Sequence, residues 1–337
     1  MLKAVHPGAP ADAFGRRFHY LRLSVTEVCN FRCTYCLPNG WSPRDGEGAS
    51  RGAFLSVDEC RRLVSAFAGL GLGKVRLTGG EPSARPDLTR IIEQTAACEG
   101  VSKVALTTNG WNLAEQAGAW RKAGLTHLNV SVDTLDREAF ARITGHDRLD
   151  AVLRGIDRAL ALGLAAIKVN AVLMRDLAPA TFGAFADYVR TRPVCVRFIE
   201  LMRTGDNAAL FADQHLSGLV LKDWLMERGW RPLERRVDDG PAVEWSHPDH
   251  LGRIGLIAPY GPGFCDSCNR LRVTARGKLG LCLFGDGGVD LRDLLQDDAY
   301  RETLQSRVLD VLVSKPAGHR LHENDPGATR RLADVGG

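Results

Sequence analysis

Cys29-Asn30-Phe31-Arg32-Cys33-Thr34-Tyr35-Cys36 sets three cysteines, spaced x3 and x2, within eight residues. Just before it, Tyr20-Leu-Arg-Leu-Ser-Val-Thr26 alternates in polarity and carries β-branched residues, which reads as a strand. The cysteines therefore occupy the loop leaving that strand. Three thiolates from one short loop can grip three corners of a cubane iron–sulfur cluster, whose fourth iron then lacks a protein ligand. Structural zinc is the alternative, but it normally takes four ligands in two separated pairs, and no histidine or fourth cysteine follows nearby. A disulfide would leave one thiol over.

Cys-x3-Cys-x2-Cys with an aromatic residue before the last cysteine, here Tyr35, resembles the radical S-adenosylmethionine (SAM) superfamily. The resemblance implies that the open iron chelates the amino and carboxylate groups of SAM. An electron from the reduced cluster then cleaves SAM to methionine and a 5′-deoxyadenosyl radical.

The 337 residues suffice for one large domain with a smaller one, or for two ordinary domains. Hydrophobic residues at 45% and charged residues at 25% suit a soluble globular protein. No apolar run approaches the ~18 residues of a membrane helix. Arg16-Arg17 is followed by Phe18-His-Tyr-Leu-Arg22, too charged for an export signal. A cytoplasmic location is expected, and nine cysteines in a reducing compartment point to metal binding. A net charge of +4 calls for neither nucleic acid nor an anionic membrane.

Beyond the cysteines, residues 39–53 read as a long surface loop. βα units then repeat. Strands are expected at 74–78, 103–107, 127–132, 166–173 and 194–201. Helices are expected at 57–70, 86–97, 113–123, 137–143, 149–162 and 180–190, the first opened by a Ser56-Val-Asp-Glu59 capping box. Six strands alternating with helices make a parallel sheet, either doubly wound or an incomplete barrel. Ligands would lie at the C-terminal ends of its strands. Thr78-Gly-Gly-Glu-Pro82, Thr107-Thr-Asn-Gly110, Ser131-Val-Asp133, Lys168-Val-Asn170 and Arg197 with Glu200–Met202 all fall at or near those positions. Each could be turn chemistry singly, but jointly they point to a site above the cysteine loop.

The pattern changes after about residue 215. A helix at 219–228 and short strands near 243–245 and 253–258 lead to Cys265-Asp-Ser-Cys268-Asn-Arg270-Leu-Arg272 and then Cys282. This second trio fits either zinc or a second cluster on spacing alone. Arg270 and Arg272 alternate on a strand and so share a face, as do Lys74 and Arg76. With Arg22 and Lys168 they could line one cavity, and such a group of cations suits a polyphosphate. No Walker-type Gly-x4-Gly-Lys loop is present.

The motifs Cys29–Cys36, Leu77-Thr-Gly-Gly-Glu-Pro82, Phe264–Arg272 and Leu279–Leu283, with terminal Gly336-Gly337, resemble in order the GTP 3′,8-cyclases of molybdenum cofactor biosynthesis, the MoaA family. The resemblance spans almost the whole chain. It implies an α/β fold: a partial (βα)6 barrel of the radical SAM type over residues 1–215, then a smaller α+β domain over 216–337 carrying a second iron–sulfur cluster. Two 4Fe-4S clusters would be held by Cys29, Cys33 and Cys36 and by Cys265, Cys268 and Cys282. Tyr35, Gly80, Ser131 and Met202 match positions that contact SAM. Arg22, Arg76, Thr107, Lys168, Arg270, Leu271 (through its backbone) and Arg272 match positions that contact GTP. Arg270, Arg272, Gly336 and Gly337 are the expected catalytic set, the glycine tail reaching into the site.

The implied reaction removes the 3′ hydrogen of GTP, closes the carbon radical onto C8 of guanine, and yields 3′,8-cyclo-7,8-dihydro-GTP. Implied partners are a one-electron donor such as flavodoxin and a cyclic pyranopterin monophosphate synthase that takes the product; homodimers are common in the family. Two other readings compete. A peptide-modifying radical SAM maturase would usually carry more C-terminal cysteines, and a zinc-binding interaction protein would carry no iron.

Overall fold

The computed structural model describes residues 8–43, 54–234, 240–285 and 287–336; Gly337 and most of the expected 39–53 loop fall outside them. The six expected strands are present as β1 (Tyr20–Ser24), β2 (Lys74–Thr78), β3 (Lys103–Thr108), β4 (His127–Ser131), β5 (Ala166–Leu173) and β6 (Cys195–Glu200). The helices between them are α1 (Val57–Gly69), α2 (Leu88–Ala97), α3 (Leu113–Lys122), α4 (Arg137–Thr144), α5 (Leu149–Ala161) and α6 (Ala180–Arg190). The start of α2 comes two residues later than expected. Pro86 disfavours helical backbone in the residue before it, and Arg85 is extended at φ −86° and ψ 124°. Helix α5 shows how periodicity sets packing: Leu149, Val152, Ile156 and Ala159 recur every three or four residues, and all are buried.

The remaining elements are α7 (Ala208–Gln214), α8 (Leu219–Glu227), β7 (Arg231–Pro232), β8 (Val243–Ser246), β9 (Arg253–Ile257), β10 (Arg270–Val273), β11 (Lys278–Gly280), β12 (Val289–Asp290) and α9 (Arg301–Leu312). Their strands build no sheet of their own. One sheet of the described residues runs β12-β11-β10-β1-β2-β3-β4-β5-β6-β9-β8-β7. Strand β10 pairs in parallel with β1, and β9 in parallel with β6. The later part of the chain therefore extends both edges of the six-stranded sheet and caps each new edge with antiparallel strands.

A buried ionic contact fastens this extension. Glu59, in the first turn of α1, accepts from the Ser56 N–H at 2.7 Å, Arg292 Nε at 2.9 Å and Gln296 Nε2 at 3.0 Å. Burial would raise this carboxyl, but those donors prevail and hold it down at about 2, against an ordinary 4.5. Because the folded value is depressed, the stabilisation is complete above pH 4.5 and fades as pH falls toward 2. Glu59→Gln is expected to cost roughly 1.5–3 kcal/mol at neutral pH. Urea unfolding at several pH values should show the gap between the two proteins closing below pH 4.5; a gap constant with pH would overturn this account.

Candidate active site

The Cys29–Cys36 loop is clamped before any ligand arrives. The Arg32 and Thr34 N–H groups donate to the carbonyls of Thr144 and Ile143 at the end of α4. Phe31 is 2% exposed and packs against Trp111, Phe140 and His146. The Cys36 and Leu37 N–H groups both donate to the Cys33 carbonyl, closing a tight turn. The glycine motif after β2 lies directly on this loop: Gly80 N–H donates to Thr26 O and Glu81 N–H to Val28 O. Gly80 has to be glycine, since a Cβ there would sit 2.3 Å from the Val28 carbonyl oxygen. Glu81 is buried and also accepts from Thr108 Oγ1 at 2.7 Å and Asn109 N–H at 2.6 Å, tying the ends of β2 and β3 together.

Cysteines 29, 33 and 36 line a cavity of about 1750 Å³ enclosed by the sheet. Cysteines 265, 268 and 282 line the same cavity. The first trio follows the C-terminal end of β1, whereas Cys265 and Cys268 precede the N-terminal end of the parallel strand β10. The trios therefore stand at opposite ends of the strands, a five-residue strand being about 16 Å long.

Burial raises the Cys29 thiol to about 11 and Cys36 to about 12, and holds Cys33 well above its ordinary value. For Cys268 burial is outweighed by Arg270 and Lys315, and its thiol is lowered. Among the described residues, no group of three His, Cys, Asp or Glu side chains is placed to hold a single metal ion. A cubane cluster presents its irons at separate corners, so thiolates ringing a cavity without meeting at one point fit it, and iron's charge is what turns buried thiols into thiolates. All six cysteines are free.

Between the two ends the sheet's inner face is cationic, in rows set by strand register. Arg272, Arg22 and Arg76 are direct neighbours across β10, β1 and β2. One step toward the N-terminal ends, Arg270, Tyr20, Lys74 and Lys103 form the next row. Burial, and then the adjacent Arg272, press the Arg22 guanidinium well below its ordinary value, and burial followed by Arg270 lowers Arg272 to about 10. Buried side-chain atoms Arg22 Nε, Arg76 Nε, Thr107 Oγ1 and Tyr20 OH have no hydrogen-bond partner among the described residues. Buried polar atoms without partners in a large cavity are the signature of a polar ligand site.

Of the residues expected to meet SAM, Tyr35, Gly80, Ser131 and Met202 all line the cavity at the strands' C-terminal ends. Tyr35 donates to Asp133 Oδ2 at 3.0 Å, and burial raises that carboxyl to about 6. Of those expected to meet GTP, Arg22, Arg76, Thr107, Lys168, Arg270 and Arg272 line it, while Leu271 does not, its side chain being fully buried in the core. Lys168 Nζ pairs with Glu244 Oε1 at 3.0 Å. The tail also arrives: Arg22 Nη2 donates to the Gly336 carbonyl at 2.5 Å and Arg272 Nη1 to the same oxygen at 3.4 Å. Gly337 lies outside the described residues. Sequence reasoning passed over Tyr20, Lys103 and Glu244 as site residues, although all three line the cavity, and it named Asp133 only as part of a strand-end motif. Their strand alternation was a usable signal for Tyr20 and Lys103, and nothing local marked Glu244.

The comparisons with known proteins agree with this geometry. Residues 23–189 match the Radical SAM superfamily and residues 194–321 match Molybdenum Cofactor Synthesis C. Among solved structures, SuiB of Streptococcus suis bound to S-adenosylmethionine superposes with a TM-score of 0.57 at 14% identity, covering 94% of this chain and 75% of that one. The same protein bound to precursor peptide SuiA gives a TM-score of 0.59 at 13% identity. The fold and the cysteine loop define a radical SAM enzyme, with an iron–sulfur cluster and SAM as its cofactors.

The family follows from closer relatives. A GTP 3′,8-cyclase of Aeromonas hydrophila is 54% identical over 326 residues, 97% of this chain and 95% of the relative. One from Vibrio cholerae is 53% identical, covering 97% of each. The chain belongs to the GTP 3′,8-cyclase family.

Gly336 offers a direct test of the tail's placement. Its φ is +64°, and an added Cβ would fall 2.6 Å from Thr78 Cγ2. Gly336→Ala should lift the tail from Arg22 and Arg272 while leaving the global unfolding midpoint nearly unchanged. Hydrogen exchange at residues 331–336 should become faster; unchanged protection there would show that the tail does not depend on this glycine.

Proposed function

We propose that the chain converts GTP to 3′,8-cyclo-7,8-dihydro-GTP, the first step of molybdenum cofactor biosynthesis. The observation carrying this reading is the row Arg272–Arg22–Arg76 between two cysteine trios in one cavity. A cluster on Cys29, Cys33 and Cys36 supplies, when bound, the electron that cleaves SAM to methionine and a 5′-deoxyadenosyl radical. Cys265, Cys268 and Cys282 would hold a second cluster, close to the guanine.

The chain's own residues do the positioning. Arg22, Arg76, Lys168, Arg270 and Arg272 neutralise the triphosphate, with Lys168 exchanging Glu244 for phosphate. Thr107 Oγ1 finds in the substrate the partner it otherwise lacks. The Gly336 carbonyl holds the Arg22 and Arg272 guanidiniums in place. Tyr35, Gly80, Ser131 and Met202 shape the SAM end, where Gly79 and Gly80 let their loop lie against the Thr26 and Val28 carbonyls. Fixing ribose and radical source together in this way is an entropic contribution to the rate. The chain would work with a one-electron donor such as flavodoxin, pass its product to a cyclic pyranopterin monophosphate synthase, and act in the cytoplasm; no described helix is long and apolar enough to cross a membrane. The tail-bearing segment from 216 onward serves as the auxiliary-cluster and substrate-binding part.

With GTP deuterated at the ribose 3′ carbon, deuterium should appear in 5′-deoxyadenosine, and transfer should be lost in Arg270→Ala and Arg272→Ala. Deoxyadenosine formed without deuterium would sink the GTP reading and leave the radical SAM assignment standing. For the second cluster, reconstituted protein should contain roughly eight irons, falling to about four in Cys268→Ala. An unchanged iron content in that variant would refute a cluster on the C-terminal trio.

A further inference from the structure

Tyr20 is a phenol inside the most cationic part of the molecule. It is 3% exposed, it lines the cavity, and its hydroxyl has no hydrogen-bond partner among the described residues. In strand register it lies between Arg270 on β10 and Lys74 on β2. Lys74 Nζ sits 4.5 Å from its ring centroid and the Arg76 guanidinium carbon 5.4 Å from it. Both distances lie within cation–π range, so the ring braces two cations that would otherwise repel each other. A buried hydroxyl left unpaired carries a free-energy penalty, and the one chemistry to which the surrounding Arg22, Lys74, Arg76 and Arg270 all point is a polyanion.

We propose that Tyr20 is a further substrate-binding residue, whose hydroxyl donates a hydrogen bond to the polyphosphate of the nucleotide while its ring sets the positions of Lys74 and Arg76. This inference rests on the GTP reading above and adds a residue that the cationic motif alone does not supply. Burial would raise the phenol, but Arg76, Lys74, Arg22 and Arg197 outweigh it and bring it down to about 8. A more acidic hydroxyl is a stronger donor to phosphate oxygen, which agrees with the geometric argument.

The test compares wild type with Tyr20→Phe, which keeps the ring, and with Tyr20→Leu, which removes it. Binding of GTP and of guanosine to the reconstituted, SAM-loaded protein is measured by calorimetry, and turnover is split into KM and kcat. The expected result for Tyr20→Phe is GTP binding weakened roughly 10-fold, guanosine binding unchanged, and KM raised with kcat retained. Tyr20→Leu should weaken GTP further, because the braced cations are freed as well. Equal binding of GTP by wild type and Tyr20→Phe would overturn the inference while leaving the GTP reading intact. Equal weakening of GTP and guanosine would also overturn it, since the hydroxyl would then not be reading phosphate. Failure of wild type itself to bind GTP would overturn the GTP reading and this inference with it.

Discussion

Much in this molecule follows from placing guanidinium groups side by side on the inner face of a parallel sheet. Neighbouring strands are ~5 Å apart, so two unit charges on adjacent strands repel by about 3 kcal/mol at an effective dielectric of ~20. Arg272, Arg22 and Arg76 occupy three consecutive strands in one register row. A barrel interior is ordinarily filled with branched apolar side chains in layers. Here those layers are cationic and amide-bearing, with Arg197 donating to Asn129 and Asn170 instead of packing against leucine. The unfavourable charge is balanced by the other face of the sheet, where Leu21, Leu23, Val75 and Leu77 alternate with the cations and join the core under α1 and α2. The fold pays this electrostatic cost to hold a cavity that a polyanion completes.

The same register explains why the chain's last third has to return to its first strand. Without β10, Arg22 would face an open edge, and neither Arg270 nor Arg272 would stand beside it. Glu59 with Arg292, and Glu27 with Arg276 at 3.0 Å, fasten that return across more than 230 residues of sequence. Arg16 does the same below, donating through its guanidinium to the carbonyls of Cys265, Pro316 and Ala317. The backbone at Cys265, the first of the second trio, is thus held by a residue close to the start of the chain.

The sequence disclosed what is locally encoded. Strand alternation, the Ser56–Glu59 capping box, Pro86 and the glycine motif act within a few residues, and elements β1 to β6 lie within a residue or two of where periodicity put them. The cysteine spacings and the pairing of Arg270 with Arg272 on one strand face were legible for the same reason. Register between distant strands was not, because nothing near Tyr20 announces that Arg270 will be its neighbour. The rule that ligands lie at the C-terminal ends of parallel strands captured Gly80, Ser131 and Met202 and missed the N-terminal half of the cavity, where Tyr20, Lys74 and Lys103 sit. That rule presumes a packed interior. Glu244 escaped notice because its meaning comes only from Lys168, 76 residues away.

The cavity's charge is graded along the strands, and that gradient sets the order in which ligands fit. Toward the C-terminal ends stand Asn109, Ser131 and Asp133, groups that accept hydrogen bonds and suit an amino group or ribose hydroxyls. Toward the N-terminal ends stand Arg270, Lys74 and Lys103, with the second thiol trio beyond. A nucleoside triphosphate reversed in this cavity would bring phosphate against Asp133, whose carboxyl burial already disfavours as an anion. On the proposed reading, the cofactor's zwitterion and the substrate's triphosphate would be sorted by electrostatics before shape acts. The ribose would then lie between them, toward the Cys29–Cys36 end of the cavity.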